Sequence, residues 1–173
     1  MKRDIILDSD ERIREVSSPV KLEEINTPLF KDFCNDLTDT LNKYQYGVAI
    51  SAIQIGLPKR MFLVQRTKDG KREIPKFYIN PKIINTSDKL VKYYEACLSV
   101  NYAQTFGEVS RKYWVRISYL DEYGKEYIKK FDGMEGRIIL HEIDHLNGKL
   151  FTDIVEKGTI KNLAEYLEFL RKK

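Results

Sequence analysis

The densest chemistry in the chain lies in five consecutive residues, His141-Glu142-Ile143-Asp144-His145. Histidines four apart share one face of a helix, so both imidazoles reach one ion, and the glutamate between them stands near its open coordination side. A divalent metal held there brings the pKa of a water toward neutrality, and the glutamate can take its proton. The spacing therefore predicts metal-assisted hydrolysis, with His141 and His145 as ligands and Glu142 as general base. The plainer alternative is a chance pattern on a solvated helix. Two facts oppose it: the chain has only 2 histidines, and both sit in an apolar stretch where bare polar side chains would be costly.

A catalytic site of this kind needs a third protein ligand. A metzincin would continue H-x-x-G-x-x-H. Gly148 meets the glycine, but the next ligand position holds Phe151, which cannot bind metal. A thermolysin-like site would take a glutamate from a later helix, and Glu165 lies at a suitable distance, although Glu156 and Glu168 show how common glutamate is nearby. The other candidate is Cys97, in Glu95-Ala96-Cys97-Leu98-Ser99, which follows the β-prone Leu90 to Tyr94 and could be presented from a strand end. A lone cysteine is otherwise a small buried hydrophobe. On residue chemistry alone both ligands stay open.

The elements that must carry these residues can be read from periodicity. Residues 1–26 read as irregular and rich in charge. Thr27-Pro28 starts a helix, with Thr27 as N-cap and Pro28 at the first helical position. Leu29, Phe30, Phe33, Leu37 and Leu41 then predict a core-facing stripe to about Lys43, with Cys34 a buried, inert thiol beside it. Met61–Val64 and Phe77–Ile79 read as strands, the second closed by Asn80-Pro81, with Asp69-Gly70 as a turn between them. Tyr113, Val115, Ile117 and Tyr119 alternate with polar-side neighbours as one face of an antiparallel strand. Asp121 to Gly124 turns the chain, and Glu126 to Phe131 returns. From Met134 the period is helical again, with Ile138, Leu140 (or Ile139), Ile143 and Leu146 marking a largely buried helix that ends at Asn147-Gly148. A last amphipathic helix carries Leu163, Tyr166, Leu167 and Leu170. The expectation is an α+β fold: one domain over residues 1–173, with antiparallel β-sheets packed around a central metal-binding helix and a C-terminal helix.

Bulk properties narrow the class. At 173 residues, 42% hydrophobic and 32% charged, the chain reads as globular, with enough length for one real core. The net charge of +4 is spread along the chain, so no direct nucleic-acid site is evident, though docking close to a ribosome stays open. No stretch approaches the length of about 20 apolar residues that spans a membrane. The start, Met1 to Asp8, is not a signal peptide, which predicts a cytoplasmic location and leaves Cys34 and Cys97 as free thiols.

Three separated segments together resemble the peptide deformylase family. Its first motif, G-x-G-x-A-A-x-Q, is met by Gly47-Val48-Ala49-Ile50-Ser51-Ala52-Ile53-Gln54; its second, E-G-C-L-S, by Glu95 to Ser99; its third, Q-H-E-x-D-H-L-x-G, by Leu140 to Gly148. Weaker likeness covers Asp10 to Arg14, Asn80-Pro81 and Gly107 to Arg111. The resemblance implies removal of the formyl group from N-terminal formylmethionine of nascent chains, so the partner is an N-formylmethionyl peptide. It implies one divalent metal, Fe2+ by expectation with Zn2+, Ni2+ or Co2+ as substitutes, held by Cys97, His141 and His145. It makes Glu142 the base, and the Gln54 side chain and the Leu98 backbone N–H the donors to the formyl oxygen. It also pairs Asp144 with Arg111 and matches Glu95. Ala49 and Ala96 replace glycines, Ser51 replaces alanine and Leu140 replaces glutamine, so the chain reads as a divergent member. Two other readings compete: a zinc metalloprotease that uses Glu165, and a deformylase-like protein that binds formylated N-termini without turnover.

Overall fold

The computed structural model describes residues 3–173. Two short 3-10 turns, Glu11–Arg14 and Leu22–Glu24, order part of the N-terminal region that reads as irregular. Helix α1 (Pro28–Leu41) begins where the Thr27-Pro28 signal puts it, with Thr27 Oγ1 accepting the Phe30 N–H at 3.2 Å. It buries Phe30, Leu37 and Leu41 but leaves Leu29 exposed and Phe33 half-buried, so the stripe is narrower than the sequence suggests. Cys34 is half-buried beside it, and burial pushes its thiol pKa up to about 12.

Strands β1 (Ala49–Ser51), β2 (Met61–Val64), β5 (Lys76–Thr86), β8 (Trp114–Leu120) and β9 (Glu126–Asp132) form a five-stranded antiparallel sheet in the order β1-β2-β5-β8-β9. The small hairpin of β3 (Thr67–Lys68) and β4 (Lys71–Arg72) turns at Asp69-Gly70. A three-stranded sheet combines β6 (Leu90–Glu95), β7 (Thr105–Lys112) and β10 (Lys161–Asn162). The β8–β9 hairpin has the expected alternation, with Val115, Ile117 and Tyr119 buried, although the strand starts at Trp114 and not Tyr113.

A second strand boundary differs more from the sequence reading. Asn80-Pro81 does not end β5, which runs on to Thr86 through a register shift against β8 between Ile79 and Lys82. A strand normally excludes proline because it cannot donate to the ladder, but a bulge leaves the residue unpaired. Asn80 holds that bulge in a left-handed conformation (φ 49°), with its side chain bonded to both the N–H and the C=O of Val20 at 2.9 and 2.7 Å.

Helix α2 (Gly133–Leu146) is wedged between the sheets. Ile139, Leu140, Ile143 and Leu146 pack with Phe62, Tyr78 and Ile117 under the large sheet, and the other side of the helix meets β7. It ends at Asn147 and Gly148. Gly148 has φ +71°, and a Cβ there would collide with the backbone carbonyl of Arg14. That contact lets residues 14–17 run against the helix end, with the Ser17 N–H on the Leu146 C=O at 3.0 Å. Helix α3 (Leu163–Arg171) buries no residue fully, but stacks Tyr166 on Phe106 and sets Phe169 beside Tyr94.

Candidate metal and catalytic site

His141 and His145 emerge from the same face of α2, one turn apart, with ring centroids 5.0 Å from each other. The end of β6 brings Cys97 onto that face, where its Sγ lies 3.1 Å from His145 Nε2. One ligand atom from each of Cys97, His141 and His145 falls within 4.8 Å of the others, the only such His/Cys/Asp/Glu group among the described residues. Cys97 and His145 are 4% and 1% exposed. A buried thiol, a buried imidazole and a partly buried one, converging on one point, suit a soft or borderline divalent cation.

Glu95 fixes how His141 presents itself. Its Oε2 accepts the His141 Nδ1–H at 2.9 Å, which leaves the Nε2 lone pair free to ligate. The same carboxylate takes Arg111 Nε on Oε1 at 2.6 Å and Arg111 Nη2 on Oε2 at 2.9 Å. Arg137 Nη1 adds a fourth bond to Oε1 at 2.6 Å. Burial opposes the Glu95 charge, but the His141 and Arg111 hydrogen bonds outweigh it and hold its pKa far below the usual carboxylate range. Burial likewise opposes a charge on His141, yet the Cys97 and Glu95 contacts raise its pKa well above the imidazole norm. For His145 the balance is the reverse: burial and the neighbouring His141 push its pKa well down. Arg111 also bonds Asp144 at 2.7 Å, so the expected pair is present.

Glu142 is 4% exposed, and burial raises its pKa against the opposing pull of His141 and a hydrogen bond from Ser51. Ser51 Oγ donates to Glu142 Oε2 at 2.6 Å. Gln54 sits on a 3-10 turn after β1; its Oε1 accepts the Ser51 N–H at 2.8 Å. Its Nε2 then points to Ser99 Oγ at 3.1 Å and to Cys97 Sγ at 3.5 Å. Gln54, Cys97, Leu98, His141 and Glu142 all line one cavity of about 770 Å³, whose surface is mostly apolar. The Leu98 backbone N–H has no acceptor among the described residues.

The structure thus brings together all six residues singled out in the sequence: Gln54, Cys97, Leu98, His141, Glu142 and His145. It keeps Glu165 apart from them. Glu165 lies at the exposed start of α3, where its carboxylate accepts the Asn162 N–H at 2.8 Å and its own N–H bonds Asn162 Oδ1 at 3.0 Å. It is a helix cap, and the thermolysin-like reading loses its third ligand. Ala49 and Ala96 have negative φ, so neither replaces a glycine needed for its backbone shape. Sequence reasoning missed Arg137 and the hydroxyl of Ser51. The signal for the first was an arginine one turn before His141 in an apolar stretch. The signal for the second was a polar residue in place of a small apolar one inside a motif.

The chain is similar to known proteins over most of its length. The family model described as polypeptide deformylase matches residues 2–160. A peptide deformylase of Brucella suis biovar 1 (strain 1330) is 38% identical over 153 residues, covering 88% of this chain and 84% of that protein. One of Pelagibacter ubique is 35% identical over 155 residues, covering 90% and 87%. Among solved structures, the Met-Ala-Ser-bound class I type b peptide deformylase of Acinetobacter baumannii matches with TM-score 0.81 at 27% identity, over 90% of this chain and 99% of that one. The actinonin complex of the peptide deformylase of Synechococcus elongatus matches with TM-score 0.79 at 32% identity, over 99% and 85%.

Proposed function

This chain belongs to the polypeptide deformylase family, and from that membership we propose that it hydrolyses the formyl amide of N-terminal formylmethionine through the residues gathered in the 770 Å³ cavity. The observation that carries the proposal is the convergence of a thiol and two imidazoles fit for a metal with a buried carboxylate and an amide donor, all but His145 lining that one cavity. Cys97, His141 and His145 would hold one divalent ion, with Fe2+ the expected metal and Zn2+, Ni2+ or Co2+ as replacements. When bound, the ion supplies Lewis-acid polarisation and acidifies water.

The chain's own groups do the rest. Glu142 takes a proton from the attacking water as its oxygen bonds to the formyl carbon. The Gln54 Nε2–H and the Leu98 N–H donate to the formyl oxygen as it gains negative charge, each worth a few kcal/mol in a dry site. When the C–N bond breaks, Glu142 returns the proton to the leaving amine, and formate and a peptide with a free amino group are released. The apolar walls, including Val48, Tyr94 and Ile138, receive the methionine side chain and exclude bulk water. The Met-Ala-Ser ligand of the Acinetobacter relative supports a peptide as the bound substrate. The substrate is a newly made N-terminus, so the work belongs near the ribosome in the cytoplasm. No helix among the described residues is long and apolar enough to cross a membrane.

The test is turnover of formyl-Met-Ala-Ser by protein loaded without oxygen with Fe2+ or Zn2+, beside Glu142→Ala. The iron form should be the faster, and Glu142→Ala should keep its metal while losing about 100-fold or more in kcat. Faster turnover by the zinc form would refute the iron assignment. Near-normal kcat in Glu142→Ala would remove Glu142 as the base.

A further inference from the structure

We propose that Ser51 is a positioning residue for the base: its hydroxyl holds the Glu142 carboxylate in the orientation from which it takes and returns the proton. This rests on the assignment of Glu142 made above. Ser51 closes β1 and is fully buried. Its Oγ lies 2.6 Å from Glu142 Oε2 and 3.2 Å from the Glu142 backbone oxygen, and a single hydroxyl proton serves the shorter, charge-assisted contact. Ser51 is the only protein donor to that carboxylate among the described residues. The nearby cation Arg111 spends its hydrogen bonds on Glu95 and Asp144. Oε2 is therefore tied, and Oε1 is left without a protein donor, open to exchange the proton with water and amine.

The geometry has a second consequence. The main chain of Ser51 holds the oxyanion donor, since its N–H bonds Gln54 Oε1. One residue thus sets the base through its side chain and the amide through its backbone. A substitution that removes only the hydroxyl separates the two. Without it, a glutamate side chain with three rotatable bonds is free to swing in a wide cavity, and misplacing a reacting group by even about 1 Å can cost up to roughly 100-fold in rate.

Deformylation of formyl-Met-Ala-Ser by the metal-loaded full chain is measured for wild type, Ser51→Ala, Ser51→Thr, Glu142→Ala and the Ser51→Ala/Glu142→Ala double variant. Metal content and Tm are recorded for each. Ser51→Ala should lower kcat about tenfold with KM within about twofold, since only proton transfer is disturbed. Metal content and Tm should hold, and the crystal structure of this variant should show the Glu142 carboxylate in more than one orientation. Ser51→Thr, which keeps the hydroxyl, should recover most of kcat. In the Glu142→Ala background the serine change should cost nothing further. An unchanged or raised kcat in Ser51→Ala overturns the proposal, as does an equal loss in both backgrounds. A fall in metal content or Tm that accounts for the lost rate also overturns it, because the role is then structural. Failure of the base assignment would be seen separately, as near-normal kcat in Glu142→Ala alone.

Discussion

Replacing Glu95 by glutamine keeps the side chain's shape and removes its charge, and the structure says what that costs. The carboxylate accepts four hydrogen bonds on two oxygens: Arg111 Nε and Arg137 Nη1 on Oε1, and His141 Nδ1 and Arg111 Nη2 on Oε2. Glutamine has one acceptor oxygen, so two bonds are lost and its NH2 group faces two other donors. Arg111, Arg137 and Glu95 are each at most 8% exposed in their side chains, so two guanidinium charges are left without their buried partner. Breaking a buried ion pair from one side typically costs about 3–5 kcal/mol. For a chain of this size that lowers Tm by roughly 6–20 °C.

The assay is denaturant and thermal unfolding of metal-free wild type and Glu95→Gln, which keeps metal linkage out of the comparison. Metal titration follows, where loss of the His141 partner should weaken binding by about 10–100-fold. The pH dependence has a definite sign. The folded Glu95 pKa lies below its ordinary value of 4.5, so its stabilising charge is complete above that pH and is lost as pH falls through the folded value. The gap between the two proteins should be full at pH 7 and close progressively below pH 4.5. A gap under about 1 kcal/mol at pH 7, at the level of an ordinary substitution, would refute the reasoning. So would a gap that widens on acidification.

Three further outcomes are expected. Cys97→Ser should lose most of its metal affinity and activity, because a neutral hydroxyl replaces a thiolate. Glu165→Ala should keep both and fray α3 at a cost of about 0.5–1 kcal/mol, as a lost cap does; metal analysis and unfolding of the two variants check this, and a metal-free Glu165→Ala protein would reverse the ligand assignment. Ala96→Gly should raise kcat/KM on formyl-Met peptides with an unchanged fold if the methyl at this cavity-lining position crowds the substrate. Steady-state kinetics read it, and no gain would mean that the cavity is already fitted to alanine.

Local chemistry and periodicity account for much of this molecule. The 3.6-residue repeat of α2 places His141 over His145, and no tertiary contact is needed to put them on one face. The Thr27-Pro28 helix start, the Asp69-Gly70 turn and the Asp121–Gly124 hairpin were equally legible, because each signal acts within a few residues. Asn80-Pro81 misleads for the opposite reason: a local breaker is overridden by side-chain bonds to Val20, 60 residues away. The choice of Cys97 over Glu165 could not come from spacing alone. It depends on the end of β6 reaching across to α2, where a thiol 48 residues before His145 meets its ring. The same holds for the two interactions that sequence reasoning missed. Ser51 reaches Glu142 over 91 positions and Arg137 reaches Glu95 over 42. Sequence supplies the groups that could do the chemistry and the helix face that carries half of them. Which partners orient and charge those groups is decided only when two sheets close on α2 and exclude water, since burial is what makes each remaining polar contact strong and each missing one costly.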